Sequence, residues 1–452
     1  MASLFWFRRD LRTTDHPAFA AACAAGPVLP CYVLEPEVLD RTGAAGRAWL
    51  AATVAALDDS LHRHFGGRLH LAIGDPATVI PRLAAAVEAR SVHVSAHSEP
   101  ALAERDRAVR AALDPVAWIE TGSNYAVTPG RVSKADGGGF AVFTAFERAW
   151  RSHGWPAPAA DPPEAELITL PSDPAAQAVL ERARAGWAGP LPPAGQDAAA
   201  ERWDRFRRES LDAYAELRDR PDLDQTSRLS ADLALGAIHP RTLLADVAGA
   251  DEAGPVRFRT ELAWREFYAD VVWRHPESVA ADLQPLRLTY DEPGEAFVAW
   301  REGRTGFPIV DAGQRQLQAT GWMHNRVRMI SASFLTKDLH LWWPLGAAHF
   351  AEQLIDLDLA SNVHGWQWVA GTGTDAAPYF RVFNPTTQAE RFDPAGDYVR
   401  RWVPELAHLA GAAIHRPWAA ADGYRAGYPR PVVDHDQERR EALARYRAAR
   451  QG

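Results

Sequence analysis

Glu261, Trp264 and Arg265 fall within one helical turn in the stretch ELAWREFY (261–268), so a carboxylate, a flat indole and a cation share one stripe. That combination suits recognition of a planar polar ring. HNRVRM (324–329) aligns Asn325 with Arg328 and Met329 by the same spacing. In DLDLASNVHGWQW (356–368) the spacing puts Asp358 and Asn362 on one helical face, and Gly365 is expected to loosen the helix ahead of Trp366 and Trp368. Asp356 and Asp358 lie in an otherwise apolar stretch, where burial without a partner is costly; Arg328 is the candidate partner. QTSRLSADLAL (225–235) sets Thr226, Ser227 and Ser230 at a helix start. Hydroxyls and unbonded backbone N–H groups there can hold a phosphate. Ordinary N-capping explains the same residues, and for TSRLS alone it is the stronger reading. Each set alone also reads as an amphipathic helix with an aromatic core face. Together they describe a pocket for phosphate, a polar ring and a flat aromatic.

GWQWVAGTGTDAAPYFRVFNP (365–385) adds two indoles two residues apart, followed by flexible Gly-Thr backbone expected near a pocket mouth. The chain has 17 tryptophans, nine of them within residues 264–402, and such large aromatics serve cores or aromatic binding surfaces. None of the 16 histidines shows ligand spacing of the H-E-x-x-H kind, so no metal site is expected. His324 reads equally as a pocket residue or a satisfied core histidine.

The formal net charge is −9, which argues against nonspecific affinity for nucleic acid. Residues 1–200 carry 18 basic and 22 acidic side chains and the remainder 31 and 36, so any nucleic-acid contact has to come from a local patch. Only Cys23 and Cys31 are cysteines, too few for a disulfide framework or zinc cluster. MASLFWFRRDLR puts charge directly behind a very short apolar stretch, unlike a signal peptide, and no apolar run of about 18 residues marks a spanning helix. A cytoplasmic, reduced setting is expected.

Several elements must position these groups. SLFWF (3–7), PVLPCYVL (27–34), LHLAIG (69–74) and VHVSA (92–96) read as strands separated by Ala-rich helices such as 47–65, which implies a parallel sheet with helices on both faces. No G-x-G-x-x-G follows the first strand, so a dinucleotide fingerprint is absent. Residues 131–200 are expected to be a linker, with GWPAPAADPPEAE and GPLPPAGQDAAA the clearest stretches. Helical periodicity dominates from Trp203 to the final QERREALARYRAAR. The fold class is therefore an α/β domain (1–130), a long linker (131–200) and an all-helical domain (201–452).

These motifs resemble those of the photolyase/cryptochrome flavoprotein family, and within it the class I cyclobutane pyrimidine dimer photolyases. The resemblance runs from FWFRRDLR (5–12) to ALARYRAAR and is most specific in TSRLS, ELAWREFY, TGWMHNRVRM and GWQWVAGTGTDAAPYFRVFNPTTQ. It implies a Rossmann-like antenna-type first domain and flavin adenine dinucleotide (FAD) in the helical one. Tyr214, Thr226, Ser227, Arg228, Leu229 and Ser230 match contacts to the ribityl and pyrophosphate. Asp356, Asp358 and Asn362 match residues lining the isoalloxazine, with Arg328 paired to an acid there. Plant cryptochromes differ by an aspartate at the Asn362 position. Trp264 and Trp368 match the indoles that wall a flipped dimer, with Asn325 and Met329 beside it, and Glu261 matches the acid on the dimer's carbonyl or imide edge. Arg218 and Arg381 resemble arginines that contact the DNA backbone, and Arg265 joins them as a DNA-binding candidate.

The resemblance implies light-driven repair of a DNA cyclobutane dimer by electron transfer from reduced FAD, in a monomer, with no membrane partner. The (6-4) photolyases carry paired histidines where this chain has His324-Asn325. The electron-transfer tryptophans match at Trp366 and Trp343, but Tyr290 stands at the third position. Folate-binding members carry Asn-Glu where this chain has Ala103-Glu104, which favours 8-hydroxy-deazaflavin as antenna, or none, over methenyltetrahydrofolate. The alternatives are a signalling cryptochrome and, outside the family, a nucleotide-binding α/β enzyme.

Overall fold

The computed structural model describes residues 2–162, 164–375 and 381–451. Packing divides the chain into two compact units. Unit 1 comprises residues 1–212, 227–276 and 355–360; unit 2 comprises 213–226, 277–354 and 361–452. Both cut across the three segments suggested by composition.

Unit 1 is built on a five-stranded sheet of β1 (Ser3–Phe7), β2 (Val28–Leu34), β3 (His70–Ile73), β4 (Ser91–Ala96) and β5 (Ala117–Ser123), in the order β3-β2-β1-β4-β5. Every pairing is parallel. Alternation along SLFWF explains the two-sided core. Leu4 and Trp6 pack on one face with Val33, Ile80 and Val94, while Phe5 and Phe7 pack on the other with Phe19, Val54 and Leu61. The four expected strands are present. β5 escaped notice because AWIETGS is an edge strand whose residues, apart from Ser123, remain at least partly exposed.

The expected linker is not one. Helix α1 (Ala44–Phe65) lies in the first 130 residues as expected. The Pro- and Ala-rich stretch then holds α2 (Phe143–His153), α3 (Pro174–Ala185) and the start of α4 (Gln196–Glu209). Asp173 caps α3 by accepting from Ala175 N, and Ala176, Val179 and Leu180 pack on Leu34 and Leu39. Proline sits at the first turn of α3, where its missing N–H costs nothing, so proline there starts a helix instead of breaking one. Unit 1 also contains α5 (Ser230–Leu235) and α6 (Ala253–Arg274).

Unit 2 is helical among its described residues. α7 (Pro308–Thr320) ends at Gly321 with φ +66, and α8 (Asn325–Ser333) restarts behind His324, whose Nδ1 accepts from Arg326 N at 3.2 Å. His324 is thus a buried helix cap. α9 (Trp343–Gln353), α10 (Leu359–Ala370, of which 361–370 lie in unit 2) and α11 (His435–Gln451) follow. No described helix is long and apolar enough to cross a membrane.

Candidate functional site

In unit 1, α6 presents Glu261, Trp264 and Arg265 on one stripe, as the spacing predicts. Trp264 lies flat on Phe143 at 3.6 Å and 6°, with Phe267 and Tyr268 against its flanks. Phe143 opens α2, so the misread linker supplies the support for this indole. Glu261 pairs with Arg257 Nη2 at 2.8 Å, one turn back on α6. Arg265 faces inward: Nη1 donates to Asn124 O at 2.9 Å, Nε lies 3.4 Å from Asp358 Oδ2, and the guanidinium covers the Tyr125 ring at 4.3 Å. Asp358 therefore has an arginine partner from α6, which the sequence did not announce. It also precedes the helix it was expected to share with Asn362.

Glu266, missed in the sequence, clasps this region. It is buried, and accepts from Ala126 N (2.5 Å), Val127 N (2.9 Å) and Trp150 Nε1 (3.1 Å). Trp150 sits on α2 with Phe143, so the clasp fixes the partner of Trp264. Burial pushes the Glu266 carboxyl up to about 7, against the pull of its Val127 and Ala126 donors. The folded state then holds this proton more tightly than the unfolded chain does. The group's stabilising share is full below about pH 4.3, the ordinary glutamate value, and is lost as pH rises through the folded value. Glu266→Gln is expected to cost about 1–3 kcal/mol, because one amide oxygen cannot serve three N–H donors. Urea unfolding at several pH values between 4.5 and 8 (about the span of the two states' pKa values) checks both points: the variant is weaker and lacks this slope.

Leu229, whose own side chain makes no cap bond, holds the cap position of α5, and Ser227 Oγ accepts from Leu229 N at 3.4 Å. Arg228 has φ +56 and Leu229 follows in the right-handed region. That succession turns consecutive backbone N–H groups to one side, a concavity suited to an anion. Ser227 is half-buried and Ser230 exposed in unit 1, while Thr226 is half-buried in unit 2. At the carboxyl ends of β1 and β4, Arg8 pairs with Asp106 and Arg9 with Glu99. The cavity there, lined by Arg9, Glu99, Tyr125, Arg265 and Asp358 among others, is ≈ 20 Å³, about one water.

In unit 2, Asn325 and Met329 neighbour each other on α8, with Nδ2 3.9 Å from Sδ; Asn325 is exposed and Met329 half-buried. Arg328 Nε donates to Met323 O at 2.7 Å. Arg326, between them, pairs with Asp219 at 2.7 Å, and Arg218 lies 3.6 Å from the same acid. Tyr214 is buried at the start of the short helix Tyr214–Leu217. Arg381 is exposed, and its carbonyl accepts from Lys337 Nζ.

α10 runs unbroken through Gly365 to Ala370. The helix absorbs a glycine cost of about 0.5–1 kcal/mol through buried anchors. Gln367 accepts from Leu283 N at 2.9 Å and donates to Ser278 O at 2.8 Å. The Gly-Thr run is the helix terminator: the N–H groups of Gly371 (φ +89), Thr372 and Gly373 all converge on Gln367 O at 2.8–3.2 Å. Residues 376–380, the rest of that aromatic-proline string, lie outside the described residues.

Trp366 is buried against Phe350 (5.0 Å) and Trp300 (6.1 Å), and its ring lies on Gly346, where an added Cβ would meet it at 2.1 Å. Trp343, Gly346 and Phe350 form one stripe of α9, so Trp366 shares a helix face with Trp343. Trp368 is half-buried, two residues on. Asn362 Nδ2 donates to Ala347 O at 3.0 Å, which fixes the amide's orientation. Trp343 Nε1 donates to Asp282 Oδ1 at 2.7 Å. Tyr290, half-buried, contacts not Trp343 but Trp342, at 6.4 Å.

Residues 3–165 match the DNA photolyase family model, and residues 258–448 match the model for the FAD binding domain of DNA photolyase. The deoxyribodipyrimidine photo-lyase of Salmonella typhimurium is 40% identical over 99% of this chain and 99% of its own. That of Halobacterium salinarum is 40% identical over the same shares. A crystal structure of a bacterial class III photolyase from Agrobacterium tumefaciens superposes with a TM-score of 0.90 at 37% identity, covering 100% of this chain and 98% of the other.

Proposed function

The chain belongs to the DNA photolyase family, and on that footing we propose how its own residues divide the work. It is a light-driven lyase that splits cyclobutane pyrimidine dimers in DNA. FAD, when bound, would supply the light-driven one-electron chemistry that opens the cyclobutane ring. The donor set fits this cofactor. The Arg228–Leu229 concavity with the Ser227 and Ser230 hydroxyls suits a pyrophosphate, and the Asn362 amide, fixed by Ala347, offers a neutral ring partner that delivers no proton. Tyr214, Thr226, Arg328, Asp356 and Asp358 complete the cofactor-binding set.

One observation carries the lesion reading: an indole locked flat on Phe143 within one turn of Glu261. One face of Trp264 is taken, so the other is the stacking wall, a role worth about 1–3 kcal/mol per base. By the family resemblance Trp368, Asn325 and Met329 are the other lesion-contacting residues. This stacking offsets the few kcal/mol needed to flip the dimer out of the duplex, a general figure for base-flipping enzymes, among which photolyases are a standard example. Glu261 donates a carboxyl O–H to the dimer carbonyl where negative charge develops. Arg218 and Arg381 hold the DNA backbone, while Arg265 stays on Asp358 and Asn124. Trp366 and Trp343 conduct electrons when the flavin is photoreduced. The antenna-type role falls to residues 1–130 and the flavin and lesion role to residues 201–452, while 131–200, first expected to be a linker, contributes α2 and α3 to unit 1. The enzyme acts as a cytoplasmic monomer.

The test is an oligonucleotide carrying one thymine cyclobutane dimer, incubated with reduced protein in blue light and in darkness. Intact thymines are expected only in light. If none return, repair is not the activity.

A further inference from the structure

Trp342 has no part in the repair scheme, yet it holds an unusual position. It precedes Trp343 at the start of α9, with ring centroids 6.4 Å apart, and it is 39% exposed, whereas Trp343 is 1% exposed. Both indole N–H groups donate to the same oxygen, Asp282 Oδ1, at 3.4 Å from Trp342 and 2.7 Å from Trp343. On its other side Trp342 meets Tyr290 at 6.4 Å. We propose that Trp342 is the terminal, solvent-facing electron carrier of the photoreduction relay, in place of Tyr290, with Asp282 as the carboxylate that stabilises and deprotonates it. This rests on the reading of Trp366 and Trp343 as carriers.

The step balances within the chain. An electron passes from Trp342 to the oxidised indole of Trp343, which returns to its closed-shell form. Trp342 becomes a cation radical; its Nε1 proton moves to the Asp282 carboxylate and on to solvent, leaving a neutral radical. An external thiol gives that radical one electron and one proton, and two thiyl radicals couple to a disulfide. A carboxylate touching both indoles favours positive charge on either. Exposure gives the thiol access at Trp342, which buried Trp343 denies. Tyr290 is the poorer terminus. A phenol is oxidised only as it loses its proton, and burial together with the charge of Asp282 pushes its pKa up.

Flash photolysis of the protein loaded with oxidised FAD, without DNA, tests this. The readouts are the lifetime and spectrum of the amino-acid radical; flavin content reports an intact fold. Trp342→Phe is expected to shorten the radical lifetime at least tenfold, because the charge stays on Trp343 and recombines. Tyr290→Phe changes it less than twofold, and the long-lived radical is tryptophanyl. Asp282→Asn slows the cation-to-neutral spectral change. A tyrosyl spectrum, or loss of the long-lived radical in Tyr290→Phe but not in Trp342→Phe, overturns the proposal. Wild-type lifetime in Trp342→Phe also overturns it. A long-lived radical that survives Trp366→Phe instead sinks the relay on which the proposal rests.

Discussion

Replacing Trp366 by phenylalanine lowers light-driven reduction of the bound flavin at least about tenfold, as a barrier rise of about 1.4 kcal/mol would, while protein reduced beforehand still repairs dimers. The expectation follows from where the indole sits. Trp366 is sealed between Phe350, Trp300 and the backbone at Gly346, on the face of α9 that Trp343 begins. A phenyl ring fills much of that volume, so the fold persists, but it is far harder to oxidise than an indole. Flavin reduction under illumination with a thiol donor, followed by absorbance, reads the first effect. Repair by dithionite-reduced protein reads the second. Loss of both would make Trp366 chiefly structural.

Glu261→Ala is the second change with a large expected effect. The carboxylate stands on α6 one turn from the Trp264–Phe143 stack and is held by Arg257. A hydrogen bond to a charged group contributes about 1.5–3 kcal/mol. A carboxyl O–H donated to the dimer carbonyl strengthens as negative charge develops there, so losing it favours return of the electron before the ring splits. The number of dimers split per absorbed photon should fall at least about threefold, with flavin content and dimer affinity little changed. A yield equal to the wild type's would remove Glu261 from the mechanism; a loss of affinity alone would make it a binding group.

Much of this was legible because short-range spacing is what sequence encodes best. The Glu261–Trp264–Arg265 stripe and the Asn325–Met329 pair needed only helical periodicity, and both stand as expected. Four strands were visible as apolar runs, whereas β5 at the sheet edge lacks one. The failures share a cause in long-range contact. Composition marks 131–200 as a linker, but α2 and α3 pack into unit 1, and Phe143 could not be linked to Trp264 from 121 positions away in sequence. Gly365 should loosen α10 on propensity alone; the buried bonds of Gln367 override it. Asp358 also lies against Arg265, 93 positions away, a contact that no local spacing announces. The positive φ of Arg228 gave no signal, because only backbone context selects it.

The discontinuity of unit 1 bears on how the protein is made. Its core joins Ala45 and Trp49 to Ala231 and to Ile355, the last of which belongs to the short segment 355–360. A ribosome adding about 5–20 residues per second takes roughly 15–60 s between Trp49 and Ile355. During that interval the sheet is complete while part of the surface it will bury is still unsynthesised. Nascent chains halted before residue 355 should therefore be more protease-sensitive, and more dependent on chaperones, than chains halted just beyond it. Slow codons placed late in the message would act on the yield of a domain encoded at its start.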